Sequence, residues 1–309
     1  MRVLRMCGVQ LGVLLALLAI GSRLGGQTSA VVGSSDTFND SNFHLTNYVQ
    51  QGIDIHQLLQ IMGKRVRRST LFGMPLQQQC YYSFTDAYIA SVYRALSRDE
   101  QARFDPMITG FNPADMYAVD HIRRVLETFP GVFTGIGEFS ASFTNPALDR
   151  ILDFAGEVGL VVLIRDDVGT EPVYLTQMEA LLMRHPETRI IWVVQGQLAI
   201  VESMLTEPAL SHLNFDISPD SIARVSTILN KYPDRFLFGT DSVAPAGPAP
   251  YFAMFDMWAP IWQQLTPEAS LAIRKGNYER IFDEGRRKVR AWEQANVRGA
   301  QPISETRSE

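Results

Sequence analysis

Histidine and cysteine are scarce in this chain, numbering five and two among 309 residues. Cys7 falls in a leader-like segment, which leaves Cys80 alone in the remainder and excludes an internal disulfide framework. A core of this size holds without such staples. Positive charge is not in excess: 28 Lys and Arg stand against 33 Asp and Glu, a net charge of −5. That balance argues against nucleic-acid binding, which needs a basic face. No glycine-rich phosphate loop follows an early strand, so an open doubly wound nucleotide-binding sheet has no support. No internal repeat is visible beyond an alternation of strand-like and helix-like stretches.

Arg2 and Arg5 precede an apolar run from Leu11 to Ile20, and Thr28-Ser29-Ala30 offers a small-x-small cleavage site. These are the three parts of a secretory signal, so residues 1–30 are expected to be a signal peptide and the protein to be exported, periplasmic or secreted. The run is about half the length of a membrane span, which needs about 20 apolar residues. An uncleaved anchor is the alternative. Cys7 lies before the run, the wrong place for a lipoprotein anchor, and Arg2 and Arg5 are not adjacent as a twin-arginine signal requires. Losing residues 1–30 removes Arg2, Arg5 and Arg23 and no acid, so the mature chain is more acidic still. No stable membrane insertion is expected after that removal.

What the chain does have is regular alternation. Strand-length apolar runs lie at Thr37–His44, Ser69–Gly73, Phe104–Thr109, Val132–Phe139, Leu160–Arg165, Arg189–Val194, His212–Ile217 and Arg235–Thr240. Val, Ile and Phe dominate them, as expected of parallel strands buried on both faces. Amphipathic stretches intervene; Pro113–Phe129 carries Met116, Val119, Ile122, Val125, Leu126 and Phe129 at helical spacing. Eight such units predict an α/β fold of the closed (β/α)₈ type, for which roughly 250 residues suffice. The domain is expected to span residues 31–293, with residues 294–309 a disordered polar tail. Asn47–Arg68 reads as an insertion forming a helix over the barrel mouth. Val243–Trp262, rich in Pro, Met and aromatics, reads as a lid, a homodimer surface or a loop packed under the last helix.

In such a barrel the reactive side chains sit at the C-terminal ends of strands. Those ends hold Asn42 and His44, Glu138, Arg165 with Asp166 and Asp167, Val194 with Gln195, Phe215–Ser218, and Asp241. The stretches Asp40–Tyr48, Gly135–Phe139, Leu237–Ala244 and Lys275–Trp292, above all Gly239-Thr240-Asp241 and Gly276–Phe282, resemble the second amidohydrolase-related family of the amidohydrolase superfamily. That resemblance implies a metal-dependent hydrolase or decarboxylase. It implies two histidine ligands from a His-x-His on strand one, further histidines on strands five and six, and an Asp on strand eight acting on the metal-bound water.

Against that pattern the metal site is degenerate. Asn42 stands at the first ligand position and only His44 is kept on strand one. Arg165 stands on strand five, and Val194 with Gln195 on strand six, while Glu138 and Asp241 are kept. His56, His121, His185 and His212 fall in the insertion, on or after helices, and at the start of strand seven. Zinc generally wants three or four protein ligands, and a fixed cation repels it. The expected cofactor is therefore none, or a divalent Zn, Mn or Mg held weakly by His44 and Asp241. Arg165 is expected to fill the vacated space and pair with Asp241 or Glu138, since buried carboxylates without a counter-charge are very costly.

Three readings follow. One is a hydrolase acting on a small carboxylate-bearing or cyclic substrate with little or no metal. Its catalytic groups would be Asp241, His44, Arg165 and Glu138, with Arg165, Gln195 and Asn42 binding substrate. The second is a non-catalytic barrel that binds a ligand or partner. The third is a metallohydrolase with an oxygen-rich ligand set, which favours Mg or Mn. Tyr81, Tyr82 and Phe84 read as lid or core packing.

Overall fold

The computed structural model describes residues 37–46, 52–73, 82–165, 172–195, 209–214 and 219–298. The leader, Cys80, Tyr81, Asp166, Asp167, the segment 215–218 and the last residues of the tail lie outside them, as do the side chains of Tyr82, Val194, Gln195 and His212.

Eight strands form one parallel sheet in sequence order: β1 (Phe38–Asp40), β2 (Val66–Leu71), β3 (Phe104–Ile108), β4 (Gly135–Ser140), β5 (Val161–Arg165), β6 (Ile190–Gln195), β7 (Ala209–Asn214) and β8 (Phe236–Leu237). The two ends of the sheet meet. Ser41 donates its N–H to the Phe238 carbonyl at 3.0 Å, and Phe43–His44 pairs in parallel with Ser242–Val243. The sheet is thereby a closed barrel. Strand β5 shows why such runs pair on both sides: Val161, Val162, Leu163 and Ile164 are all fully buried, so no face of the strand needs water.

The connecting helices are set by local signals. In α4 (Pro146–Val158), Asn145 accepts the Ala147 N–H as N-cap, Pro146 opens the first turn, and Gly159 closes the helix at φ 84°. In α3 (Ala118–Thr128) the buried residues Ala118, Ile122, Val125 and Leu126 repeat at helical spacing. The other long helices among the described residues are α1 (Ile55–Met62), α2 (Tyr82–Arg94), α5 (Pro172–Arg184), α6 (Pro219–Lys231), α7 (Pro248–Met257) and α8 (Asn277–Asn296), with short helical turns at Arg98–Gln101, Ala259–Trp262 and Pro267–Leu271.

Several sequence expectations are corrected. The first strand is broken at Ser41–Asn42, because the Asp40 carboxylate captures the Asn42 N–H at 3.1 Å and turns the chain out of the ladder. Helix α1 does not cover the mouth. It leads straight to Arg65, whose carbonyl accepts the N–H of Phe38 at the start of β1, so it is the ordinary first crossover. Strand β2 begins at Val66, where Arg67 and Arg68 disguised it as polar insertion. His212 lies within β7 rather than at its start, since that strand begins at Ala209. The tail is helical through Asn296, and Val297 is buried. Phe84 is 68% exposed and is not core packing.

The aromatic segment after β8 packs inward. Phe255 stacks on Phe38 with centroids 4.4 Å apart, and Phe238 meets Trp258 and Trp262 edge-on. Most of the large aromatic side chains of this segment are thus buried in the chain's own core, while Met257 stays exposed. No described helix is long and apolar enough to cross a membrane.

Candidate functional site

Four side chains from four strand ends converge. His44 follows β1, Glu138 lies in β4, Arg165 ends β5, and Asp241 follows β8. The His44 Nε2 lies 3.2 Å from Glu138 Oε2 and 3.8 Å from Asp241 Oδ1. Arg165 bridges the two acids: its Nε pairs with Glu138 Oε1, and its Nη2 donates to Asp241 Oδ1 at 2.6 Å. The cluster has a dry floor and a wetter rim. The His44 and Glu138 side chains are 3% and 5% exposed, against 20% for Arg165 and 27% for Asp241.

Burial lowers the His44 pKa from 6.5 to about 4; nearby Asp241 opposes that shift and Arg165 reinforces it. The imidazole is therefore neutral at pH 7. One tautomer places its proton on Nε2, where it donates to Glu138. The ring also rests edge-on against Phe72, with centroids 4.4 Å apart.

Backbone geometry places these groups. Gly137 precedes Glu138 at φ 120°, and a Cβ there would run into the Leu163 carbonyl oxygen on the neighbouring strand. Only glycine accepts both conditions. Asp241 itself sits in the left-handed region at φ 51°, where non-glycine residues are uncommon and concentrate at functional sites.

A second buried carboxylate braces the first. Asp40 Oδ1 accepts N–H bonds from Thr240 at 2.9 Å and from Asn42 at 3.1 Å. Its Oδ2 accepts hydroxyl bonds from Thr240 at 2.6 Å and from Tyr251 at 3.0 Å. Complete burial pushes the Asp40 pKa up, and these hydrogen bonds resist it. Through Thr240, Asp40 holds the backbone from which Asp241 projects. Sequence reasoning missed the roles of Asp40, Thr240 and Tyr251, because partners about two hundred positions apart leave no local signal.

The structure unites His44, Glu138, Arg165 and Asp241; the side chain of Gln195 lies outside the described residues. Asn42 is fully buried, yet among the described residues neither Oδ1 nor Nδ2 has a hydrogen-bond partner. Gln195 ends β6 at the mouth side. His56 is exposed in the first turn of α1, its N–H donated to the N-cap Asp54, His121 faces Asp86 at 3.8 Å, and His185 lies between Asp149 and Asp153.

His44, Glu138 and Asp241 each offer one ligand atom, all within 4.8 Å of one another, which is a span suited to a metal ion. The guanidinium of Arg165 nevertheless already serves both carboxylates. A divalent cation would need the same oxygens beside a fixed positive charge. The ligand set does not fit a metal while Arg165 keeps this position.

No protein-family model matches the chain, and no curated protein matches it. Solved structures share the fold. An uncharacterized TIM-barrel protein of Bordetella bronchiseptica is 15% identical with TM-score 0.54, covering 80% of this chain and 99% of its own. Amidohydrolase 2 from Bifidobacterium longum subsp. infantis is 13% identical with TM-score 0.52, covering 80% and 98%. A putative 2-pyrone-4,6-dicarboxylic acid hydrolase from Pseudomonas putida is 12% identical with TM-score 0.51, covering 81% and 98%. The chain has the (β/α)₈ fold found in amidohydrolase-superfamily barrels.

Proposed function

We propose that this protein is an exported, hydrolase-like enzyme that cleaves a C–O or C–N bond in a small carboxylate-bearing or cyclic substrate with little or no dependence on metal. One observation carries the reading: Arg165 lies between Glu138 and Asp241 at the strand ends, with its rim side partly open. In this reading a guanidinium fork supplies the positive charge to bind a substrate carboxylate or to stabilise an oxyanion. Asp241 acts as base on a water, and neutral His44 holds Glu138 and, through it, Arg165. Asn42 and Gln195 are assigned to substrate binding. The hydrolase of like fold whose name specifies a cyclic dicarboxylic acid supports this substrate class. The apolar leader run supports export.

A second reading rests on the same pair. Arg165 folded onto Asp241 neutralises the old site, as a non-catalytic binding barrel would require. A panel of lactones, esters and cyclic amides, with and without chelator, separates the two. Chelator-insensitive turnover that falls in Asp241→Asn and Arg165→Ala supports the enzyme. No turnover anywhere in the panel supports the silent barrel.

A further inference from the structure

A buried carboxylate braces a second strand end, as Asp40 braces the one that carries Asp241. Asp86, on α2, is fully buried. Its Oδ1 accepts the Thr109 N–H at 2.9 Å, and both of its oxygens accept the Gly110 N–H at 3.1 Å. His121, on α3, faces the same carboxylate at 3.8 Å. These bonds fix the backbone just after β3, at the mouth side of the barrel.

What the brace holds is Thr109. Side chains alternate along a strand, so residues two apart share a face. Met107 packs with Phe72, Leu163, Val193 and Leu237 inside the barrel. Thr109 therefore faces the same interior, one step nearer the mouth. The ladder pairs Met107 with Gly135 and Ile108 with Ile136. The next residues, Thr109 and Gly137, stand level, and Glu138 of the cluster follows directly.

Thr109 is 1% exposed, and among the described residues its Oγ1 has no hydrogen-bond partner. Burying a hydroxyl without a partner is costly. A valine of nearly the same shape would avoid that cost. An unpaired hydroxyl beside the cluster, on backbone held by a buried acid, has a ready explanation if a ligand supplies its partner.

We infer that Thr109 is a specificity-determining residue of this mouth, its hydroxyl donating to an oxygen of the bound substrate. Carboxylate and carbonyl oxygens only accept, so the hydroxyl is the donor. Thr109 is as dry as His44 and Glu138, whereas Arg165 and Asp241 form the wetter rim. Substrate meets it once Arg165 has turned from the acids to the incoming carboxylate. The inference rests on the reading that this mouth takes a carboxylate-bearing ligand.

The test is calorimetric titration of wild type, Thr109→Val and Thr109→Ser with glutarate, a dicarboxylate without an ester or amide bond. Turnover on the lactone and ester panel is measured beside it. Wild type should bind glutarate saturably, and Thr109→Val should bind it about tenfold or more weakly, the usual worth of a hydrogen bond to a charged oxygen. Thr109→Ser should stay within about threefold of wild type, since it keeps the donor. KM on any compound turned over should rise in the same order. The urea midpoint of Thr109→Val should not fall, because no hydrogen bond inside the protein is lost. Glutarate binding that weakens in Thr109→Val, with no compound turned over, keeps the inference and sinks the enzymatic reading. Turnover with KM and glutarate binding unchanged in Thr109→Val keeps that reading and overturns the inference. Neither binding nor turnover by wild type overturns both. If Thr109→Val does not fold, Thr109→Ala against Thr109→Ser makes the same comparison.

Discussion

Asp40 and Thr240 are joined twice: one carboxylate accepts the Thr240 N–H at 2.9 Å and its hydroxyl at 2.6 Å. The pair clamps the end of the first strand to the end of the last, one residue before Asp241.

Asp40→Asn is the direct test of that clamp. The amide must turn a donor toward groups that are themselves donors, so at least one buried hydrogen bond is lost. We expect destabilisation by about 2 kcal/mol or more. The measurement is the urea midpoint at unchanged m-value. A midpoint equal to wild type would show the clamp to be dispensable.

His44 makes stability depend on acid. Its pKa is 6.5 ordinarily and about 4 in the fold. Between those values the unfolded chain binds a proton that the folded chain refuses. The stability from this group is therefore full above pH 6.5 and is lost as pH falls toward 4, by about 3 kcal/mol in all. Asp40, whose pKa is raised, has the opposite sign, its contribution weakening as pH rises above 3.8. Comparing wild type with His44→Gln across pH 4 to 7 isolates the histidine. Parallel curves would refute its assignment.

Arg165→Ala should convert the cluster into a weak metal site, because it frees both carboxylates beside His44. Elemental mass spectrometry after zinc or manganese soaking should find more metal in the variant than in wild type. The variant should also be less stable without metal, by about 3 kcal/mol, since a partly buried pair loses one partner. Near-stoichiometric metal in wild type would instead restore the metallohydrolase reading.

Gly137→Ala should destabilise by about 2 kcal/mol or more, because φ 120° and the Leu163 carbonyl both exclude a side chain. Thermal unfolding checks it. A value within 0.5 kcal/mol of wild type, the ordinary surface range of roughly ±0.5, would show that the strand yields.

At the base of the barrel, Asp105 is fully buried and takes bonds from Arg68, Arg286 and the Tyr278 hydroxyl. Tyr278→Phe should cost about 1 kcal/mol, and Arg68→Ala about 3 kcal/mol or more, both read by denaturant titration. Equal effects would mean that the ion pairs add nothing beyond the hydroxyl.

Much of this architecture was legible locally. The buried run Val161–Ile164 announces a strand without help from any neighbour, and the cap signals around Asn145 and Gly159 mark a helix. Position at strand ends picked out His44, Glu138, Arg165 and Asp241. The start of β2 was illegible because Arg67 is exposed and Arg68 looks solvated until Asp105 is known to lie beside it, with Arg68 Nη2 2.8 Å from Asp105 Oδ2.

Periodicity, capping and composition act over a few residues, so the sequence by itself determined the alternating strands and helices, the parallel barrel and the shortage of metal-binding histidines. Which charge meets which was decided only by the tertiary structure. The Arg165 bridge and the Asp40 clamp depend on groups far apart in the chain, and burial sets their energies only once the barrel has closed.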